Sequence, residues 1–131
     1  MRKTIAMNIT LFQGADFAPI ILVPSVGTTP LNITGYSFYG CVKETTDPNE
    51  EPIAVFTFTI LNQTTNEGEV LWYMSKETID QIIASIANGG SYCRLQTPYL
   101  FDVFMTDTLD QTDLIITGKA MIYPKTPKVV A

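Results

Sequence analysis

The stretch Pro30-Leu31-Asn32-Ile33-Thr34-Gly35-Tyr36-Ser37-Phe38-Tyr39-Gly40 decides the fold. It opens with a proline, which cannot donate to a sheet. Thr34-Gly35 is a small turn, and an aromatic alternation follows it. Side chains alternate along a strand, so Tyr36 and Phe38 fall on one face and Ser37 and Tyr39 on the other. A strand entered through glycine, with two aromatics on one face, reads as the keystone of a β-sandwich core.

The same period of two recurs on both sides of it. Upstream, Ile5, Met7, Ile9 and Leu11 alternate, and residues 17–23 form a second apolar run. Pro19 lies near the start of that run, where a sheet edge tolerates a missing donor. Downstream, residues 53–61 set Phe56, Phe58 and Ile60 against Thr57 and Thr59. Residues 69–74 place Val70, Trp72 and Met74 on one face. Residues 99–105 alternate Tyr99, Phe101, Val103 and Met105 with Leu100, Asp102 and Phe104. The last strand covers residues 114–123, and Gly118 in its middle marks a bulge or a close approach. Loops or turns are expected at 24–29, 43–52, 62–68 and 107–113, which are rich in polar residues and turn formers.

One segment breaks the pattern. Ile79, Ile82, Ile83 and Ile86 recur at helical spacing. Ser75 can cap such a helix, Glu77 suits its first turn, and Thr78-Ile79-Asp80-Gln81 resembles a second capping box. Asn88-Gly89-Gly90 stops it. Because this glycine pair follows a helix, it is not a phosphate cradle. The expected fold is therefore mainly β, an antiparallel sandwich of about seven strands with one short α-helix over 76–87 plugging an end of the core. Residues 1–131 are expected to form a single domain with short N- and C-terminal arms. Tyr36, Phe38, Phe56, Phe58, Trp72 and Phe101 sit on the more apolar parity of their strands and are expected to share the core.

Composition narrows function by exclusion. The hydrophobic fraction is 46% and the charged fraction 16%, which is not the balance of a disordered chain. So little charge suggests apolar surface intended for neighbours. A net charge of −5 disfavours nucleic acid as a partner. Histidine, the commonest acid–base and metal side chain, is absent. Cys41 and Cys93 lack metal-type spacing, and a disulfide between them stays open. Arg2 and Lys3 precede an apolar stretch, but Asn8 and Thr10 interrupt it, so a strand is expected there and not a signal peptide. No apolar run is long enough to span a bilayer.

Candidate chemistry is sparse. Asp107, Asp110 and Asp113 recur every third residue, with Asp102 nearby. Hard cations favour such oxygens, and a polar hairpin tip explains them equally well. Asp102, the one charge in an apolar run, is expected to face an edge or to bond backbone. Asn8-Ile9-Thr10, Asn32-Ile33-Thr34 and Asn62-Gln63-Thr64 match the glycosylation pattern and are discounted without secretion. No enzymatic activity, cofactor or metal is expected.

The order of short motifs carries a resemblance. It runs through Gln13-Gly14-Ala15-Asp16-Phe17, Leu31-Asn32-Ile33-Thr34-Gly35-Tyr36 and Phe56-Thr57-Phe58. Gly68 and Val70 then lead to Ser75 and Thr78, followed by Tyr99, Asp102-Val103, Gly118 and Pro124. This set, spanning residues 13–124, resembles a family of small bacteriophage virion proteins. It is similar to the immunoglobulin-like N-terminal domain of phage baseplate upper proteins. The resemblance implies an immunoglobulin-like sandwich with Gly35, Tyr36, Phe38, Phe58, Trp72, Tyr99, Asp102 and Gly118 as its structural signature. It also implies a virion structural protein, present in multiple copies, that assembles with other virion proteins at the tail or baseplate. A decoration protein bound to the major capsid protein of the head, and a carbohydrate- or ligand-binding sandwich with an exposed aromatic platform, remain as alternatives. Lys128-Val129-Val130-Ala131 is apolar for a free tail, and an extended arm of this kind can add as a strand to a neighbour's edge.

Overall fold

A computed structural model of the chain describes residues 4–24, 29–44, 49–88 and 99–123, with backbone alone for 85–88. The elements in chain order are β1 (Ile5–Ala6), β2 (Ile9–Phe12), β3 (Ile20–Leu22), β4 (Ser37–Lys43), β5 (Ala54–Val55), β6 (Thr57–Ile60), β7 (Glu69–Tyr73), α1 (Lys76–Asn88), β8 (Tyr99–Thr106) and β9 (Thr112–Tyr123). One sheet has the order β1-β9-β8-β4-β5, with β2 also on β9, and the other has the order β3-β7-β6. The described residues are thus mainly β with one short helix.

The larger sheet is mixed, which corrects the expected antiparallel pattern. β1 and β2 both run parallel to β9, with Ile5 opposite Ile116 and Leu11 opposite Ile122. Strands so distant in sequence need no hairpin between them, so turn geometry does not impose an antiparallel direction. The remaining pairs are antiparallel.

Two expected strands are each broken in two, so the described residues hold more strands than periodicity suggests. The first breaks where it crosses Gly118. Met7 N–H donates to Thr117 O at 3.0 Å, and a Cβ on Gly118 would run into the Met7 carbonyl. Of the two meanings offered for this strand-interior glycine, close approach is the one that operates. The bulge lies nearby instead: Val103 faces Ile116 but Phe104 faces Leu114, so Ile115 has no partner and both Ile115 and Ile116 are buried. The second break is at Phe56. Phe56 N–H still donates to Gly40 O on β4 at 2.9 Å, while Thr57 already pairs with Tyr73 on β7. The chain passes from one sheet to the other there, and the Phe56 ring fills the space it crosses.

That ring belongs to an aromatic cluster between the sheets. Phe17, Phe56 and Phe101 surround Trp72 with centroids 4.9, 5.2 and 5.5 Å away, the first two edge to face. Trp72 is 1% exposed and its Nε1 has no hydrogen-bond partner among the described residues. Burying an indole contributes about 4–6 kcal/mol of apolar transfer. An orphaned donor costs about 1–3 kcal/mol, so the ring stays inside. Phe38 stacks near Phe58 at 5.8 Å, and both, with Tyr36, are half-buried at the margin of the same core.

The helix closes one side of it through Ile79, Ile82 and Ile83, all buried. The Ile86 side chain and the Gly89-Gly90 stop lie outside the described residues. Ser75 is the cap: its Oγ accepts from Thr78 N–H at 3.2 Å and meets the Thr78 hydroxyl at 2.9 Å. The expected second box starting at Thr78 falls inside the helix. A distant residue helps instead, since Asp16 Oδ1 accepts from Lys76 N–H at 2.8 Å. A carboxylate at a helix start is favoured both by the free amide and by the dipole.

The loop after β6 is held by one amide. Gln63 Oε1 accepts from Ile33 N–H at 3.0 Å and Gly68 N–H at 2.9 Å. Its Nε2 donates to Leu61 O at 2.8 Å and Asn66 O at 3.4 Å. Gly68 has φ +80, and a Cβ there would stand 2.8 Å from Val23 O. Residues 23, 31 and 68 are therefore tied at one point. Two of the sequence motifs discounted as glycan acceptors have a local role here. Asn32 Oδ1 accepts from Thr34 N–H and Asn62 Oδ1 from Thr64 N–H, each a turn closed by the side chain two residues back.

Two measurements follow from this packing. Trp72→Ala and Phe101→Ala are each expected to lower unfolding free energy by about 3–5 kcal/mol, and Phe58→Ala by clearly less because its ring is half-exposed. Equal losses in urea titrations would contradict the core assigned here. Gln63→Ala strands two backbone donors and is expected to cost about 2–3 kcal/mol; an unchanged denaturation midpoint would show that the loop is not pinned by this amide.

Candidate functional site

The signature residues do not converge on one pocket. Gly35 has φ +82 and sits in the turn before β4, with the Thr108 methyl 3.3 Å from where its Cβ would be. Trp72 and Tyr99 are core residues, and Tyr36, Phe38 and Phe58 lie against them. Asp102 and Gly118 do come close, because β8 and β9 pair Asp102 with Thr117 and Phe101 with Gly118.

They line a shallow depression of about 140 Å³ with Cys41, Lys43, Leu100, Phe101 and Thr117. Asp102 occupies an inner strand and does not face an edge as expected. Its carboxylate meets a side chain and not backbone: Thr117 Oγ1 donates to its Oδ1 at 2.7 Å. The pairing of β8 with β9 sets this hydroxyl directly across from the carboxylate, which no strand-by-strand reading could foresee. Cys41, opposite Asp102 on β4, is a buried free thiol, and Cys93 lies outside the described residues. Burial and then the Cys41 neighbour raise the Tyr39 pKa. Burial and then Asp16 raise that of Tyr73. Both hydroxyls stay neutral at ordinary pH and add no charge to these faces. Small-molecule sites usually enclose about 300–1,000 Å³, so this depression is too small for more than a few atoms.

The aspartate series is divided by the structure. Asp107 Oδ1 accepts from Leu109 N–H at 2.8 Å and Gln111 N–H at 2.9 Å, which builds the hairpin turn. Asp110 is at the tip with φ 61. Asp113 is already in β9, opposite Met105. Thus the turn is shorter than the expected 107–113, and the hairpin accounts for Asp107. Among the described residues no three His, Cys, Asp or Glu gather as metal ligands. No described helix is long and apolar enough to cross a membrane.

The surface is more informative than the depression. Among its exposed large hydrophobics, Ile5, Met7, Phe12, Ile20, Leu22 and Val55 lie on or beside strands that end a sheet, whereas Tyr39 and Tyr123 lie on inner strands and Leu109 at a hairpin tip. Phe12 and Tyr123 also stack on each other at 5.8 Å with 20° between ring planes. The sequence signal for the β3 pair was the run Ile20-Ile21-Leu22, apolar on both parities. A strand with one solvated face normally alternates with polar residues. The proposed arm, residues 128–131, lies outside the described residues. No family model matches the chain, and no curated protein matches it in sequence.

Thr117→Val removes the hydroxyl that Asp102 binds while keeping the shape of the side chain. It is expected to lower stability by about 1–2 kcal/mol. The double variant with Asp102→Val should recover part of that loss, because the stranded carboxylate is gone. Thermal unfolding of both variants checks this, and equal melting temperatures for wild type and Thr117→Val would remove the bond from the account.

Proposed function

We propose that the protein is a non-enzymatic structural component of a bacteriophage virion that works by assembly with other virion proteins at the tail or baseplate. The observation that carries the assembly reading is the concentration of exposed apolar side chains on sheet-ending strands. Such edges are templates for association unless charge or proline blunts them. The ordered motifs from Gln13 to Pro124 supply the virion part of the reading, by resemblance.

An immunoglobulin-like fold belongs to the same proposal. The run β9-β8-β4-β5 has the order G-F-C-C′, and β3-β7-β6 has the order B-E-D, of a variable-type sandwich. In that scheme α1 fills the E-to-F connection, and Tyr99 stands at the start of strand F. The fold is used here as a scaffold for surfaces, since fold alone does not specify function.

A second reading, a carbohydrate-binding domain, is favoured by one feature: the exposed Phe12 and Tyr123 rings are stacked side by side. Glycan binding lost in Phe12→Ala would establish it.

The main reading is tested on particles of the phage whose genome encodes the chain. Antibody labelling and electron microscopy are expected to find many copies on the tail or baseplate. Copies following the head lattice would convert the role to capsid decoration on the major capsid protein. Purified particles without the protein would overturn both.

A further inference from the structure

We propose that the free edge of β3 is a docking strand for residues 128–131 of a second copy of this chain. The inference rests on the assembly reading above and names the contact it would use.

The hydrogen bonds of β3 fix which of its backbone groups are free. Phe17 and Met74 exchange both bonds at 2.9 Å, Pro19 O accepts from Trp72 N–H at 2.9 Å, and Val23 N–H donates to Gly68 O at 2.8 Å. Residues 17, 19, 21 and 23 therefore turn their backbone groups toward β7. Those of Ala18, Ile20 and Leu22 turn the other way, and β3 ends its sheet, so among the described residues they meet no further strand. Pro19, whose missing donor an edge is expected to tolerate, has that missing donor on the paired side. Residues 17–24 contain no Lys or Arg. Ile20 and Leu22 are each 54% exposed and share the outer face with Leu71 and Glu69 across the strand pair. This edge lacks the usual protection, and it displays apolar side chains at a spacing of two.

Charge selects the occupant. Residues 124–131 carry Lys125 and Lys128 and no acid. Setting those two lysines apart from the net charge of −5 leaves −7 on residues 1–123. Acidic residues bracket the open edge, with Asp16 before it and Glu67 and Glu69 across from its end. In an antiparallel alignment Lys128 stands opposite Leu22 and Val130 opposite Ile20. Both side chains then lie on the outer face, where the Lys128 ammonium reaches toward Glu69.

The path of the chain favours a neighbour over the same copy. Tyr123 pairs with Phe12, and four residues, 13–16, separate Phe12 from Phe17 at the start of the β3 line. The chain thus leaves β9 at the end of the molecule where that line begins. To lie along its own β3 it would have to reverse. Along a second copy it does not.

The contact is heterologous, arm to edge, so it propagates from copy to copy. That property gives the test. The native full-length chain, Leu22→Lys and Val130→Asp are compared by sedimentation velocity over a concentration series, with melting temperatures as a control on folding. Ile20→Lys replaces Leu22→Lys if the latter melts early. The native chain is expected to associate with rising concentration. Each variant alone should need about tenfold more protein to do so, as for any contact losing one apolar anchor to a charge. An equimolar mixture of the two should form a pair and nothing larger, because one partner keeps the edge and the other keeps the arm. The proposal falls if the native chain stays monomeric, if either variant associates like the native chain, or if mixing restores nothing. The particle experiment is separate. Chains found in virions yet monomeric in solution would sink this contact alone. Chains that pair as described yet are missing from particles would sink the virion reading alone.

Discussion

Four backbone groups meet the side chain of Gln63, and much of the architecture depends on that meeting. A buried amide left without a partner costs about 1–3 kcal/mol, so a loop entering the core must bring its own hydrogen bonds. Gln63 brings them to two segments at once, Ile33 and residues 61–68. Ile33 is fully buried just before β4, the strand that carries the keystone aromatics. Gly68 receives Val23, which ends the line of β3, and precedes β7. One side chain therefore sets where β4, an inner strand of the large sheet, begins and how two strands of the small sheet are aligned. The φ of +80 at Gly68 is part of the same constraint, because only glycine lets Val23 O approach without a clash.

Phe56 couples the sheets in a second way. Its amide belongs to one sheet and its successor to the other, so the two cannot shift independently. This is why the aromatic rings around Trp72 pack edge to face at short range. The crossing leaves two short strands, β5 and β6, each ending a sheet, which is where exposed apolar residues such as Val55 arise. This exposed apolar edge is thus a by-product of how the core was closed.

Periodicity made much of this legible. The parity of Phe56, Phe58 and Ile60 against Thr57 and Thr59 holds into β6, and Ile79, Ile82 and Ile83 of α1 face the core. What periodicity could not carry was anything decided between segments. The run 53–61 reads as one strand, yet its halves belong to different sheets, because parity says which face is apolar and not which neighbour it meets. The parallel direction of β1 and β2 is likewise invisible, since direction depends on the path between strands. Gln63 reads as an ordinary turn residue, and its role exists only once Ile33 is brought beside it. Asp102 was visible as a lone charge, but Thr117, the group that satisfies it, sits fifteen residues away.

An open edge and a low charge content are awkward properties for a freely diffusing protein, and their energetics suggest how they are tolerated. A docked segment of four residues forms few main-chain bonds, each contributing about 0.5–1.5 kcal/mol net. Two apolar side chains add about 1–3 kcal/mol apiece when covered. Against this stands the loss of translational and rotational freedom, at least about 4 kcal/mol, and the ordering of the arm. One isolated contact is therefore weak, and it is occupied in solution only as protein concentration rises. Such an edge can therefore remain unoccupied in dilute solution without driving aggregation. On a repetitive surface the neighbouring copies are already held in place, so the entropic term falls and the same contact becomes favourable at an effective concentration in the millimolar range, roughly. On the proposed reading, copies would be held by their scaffold first and their edges would join afterwards. Replacing Ile20 and Leu22 with polar residues would remove that second step while leaving the buried face of β3, through Ile21 and Val23, to hold the small sheet together.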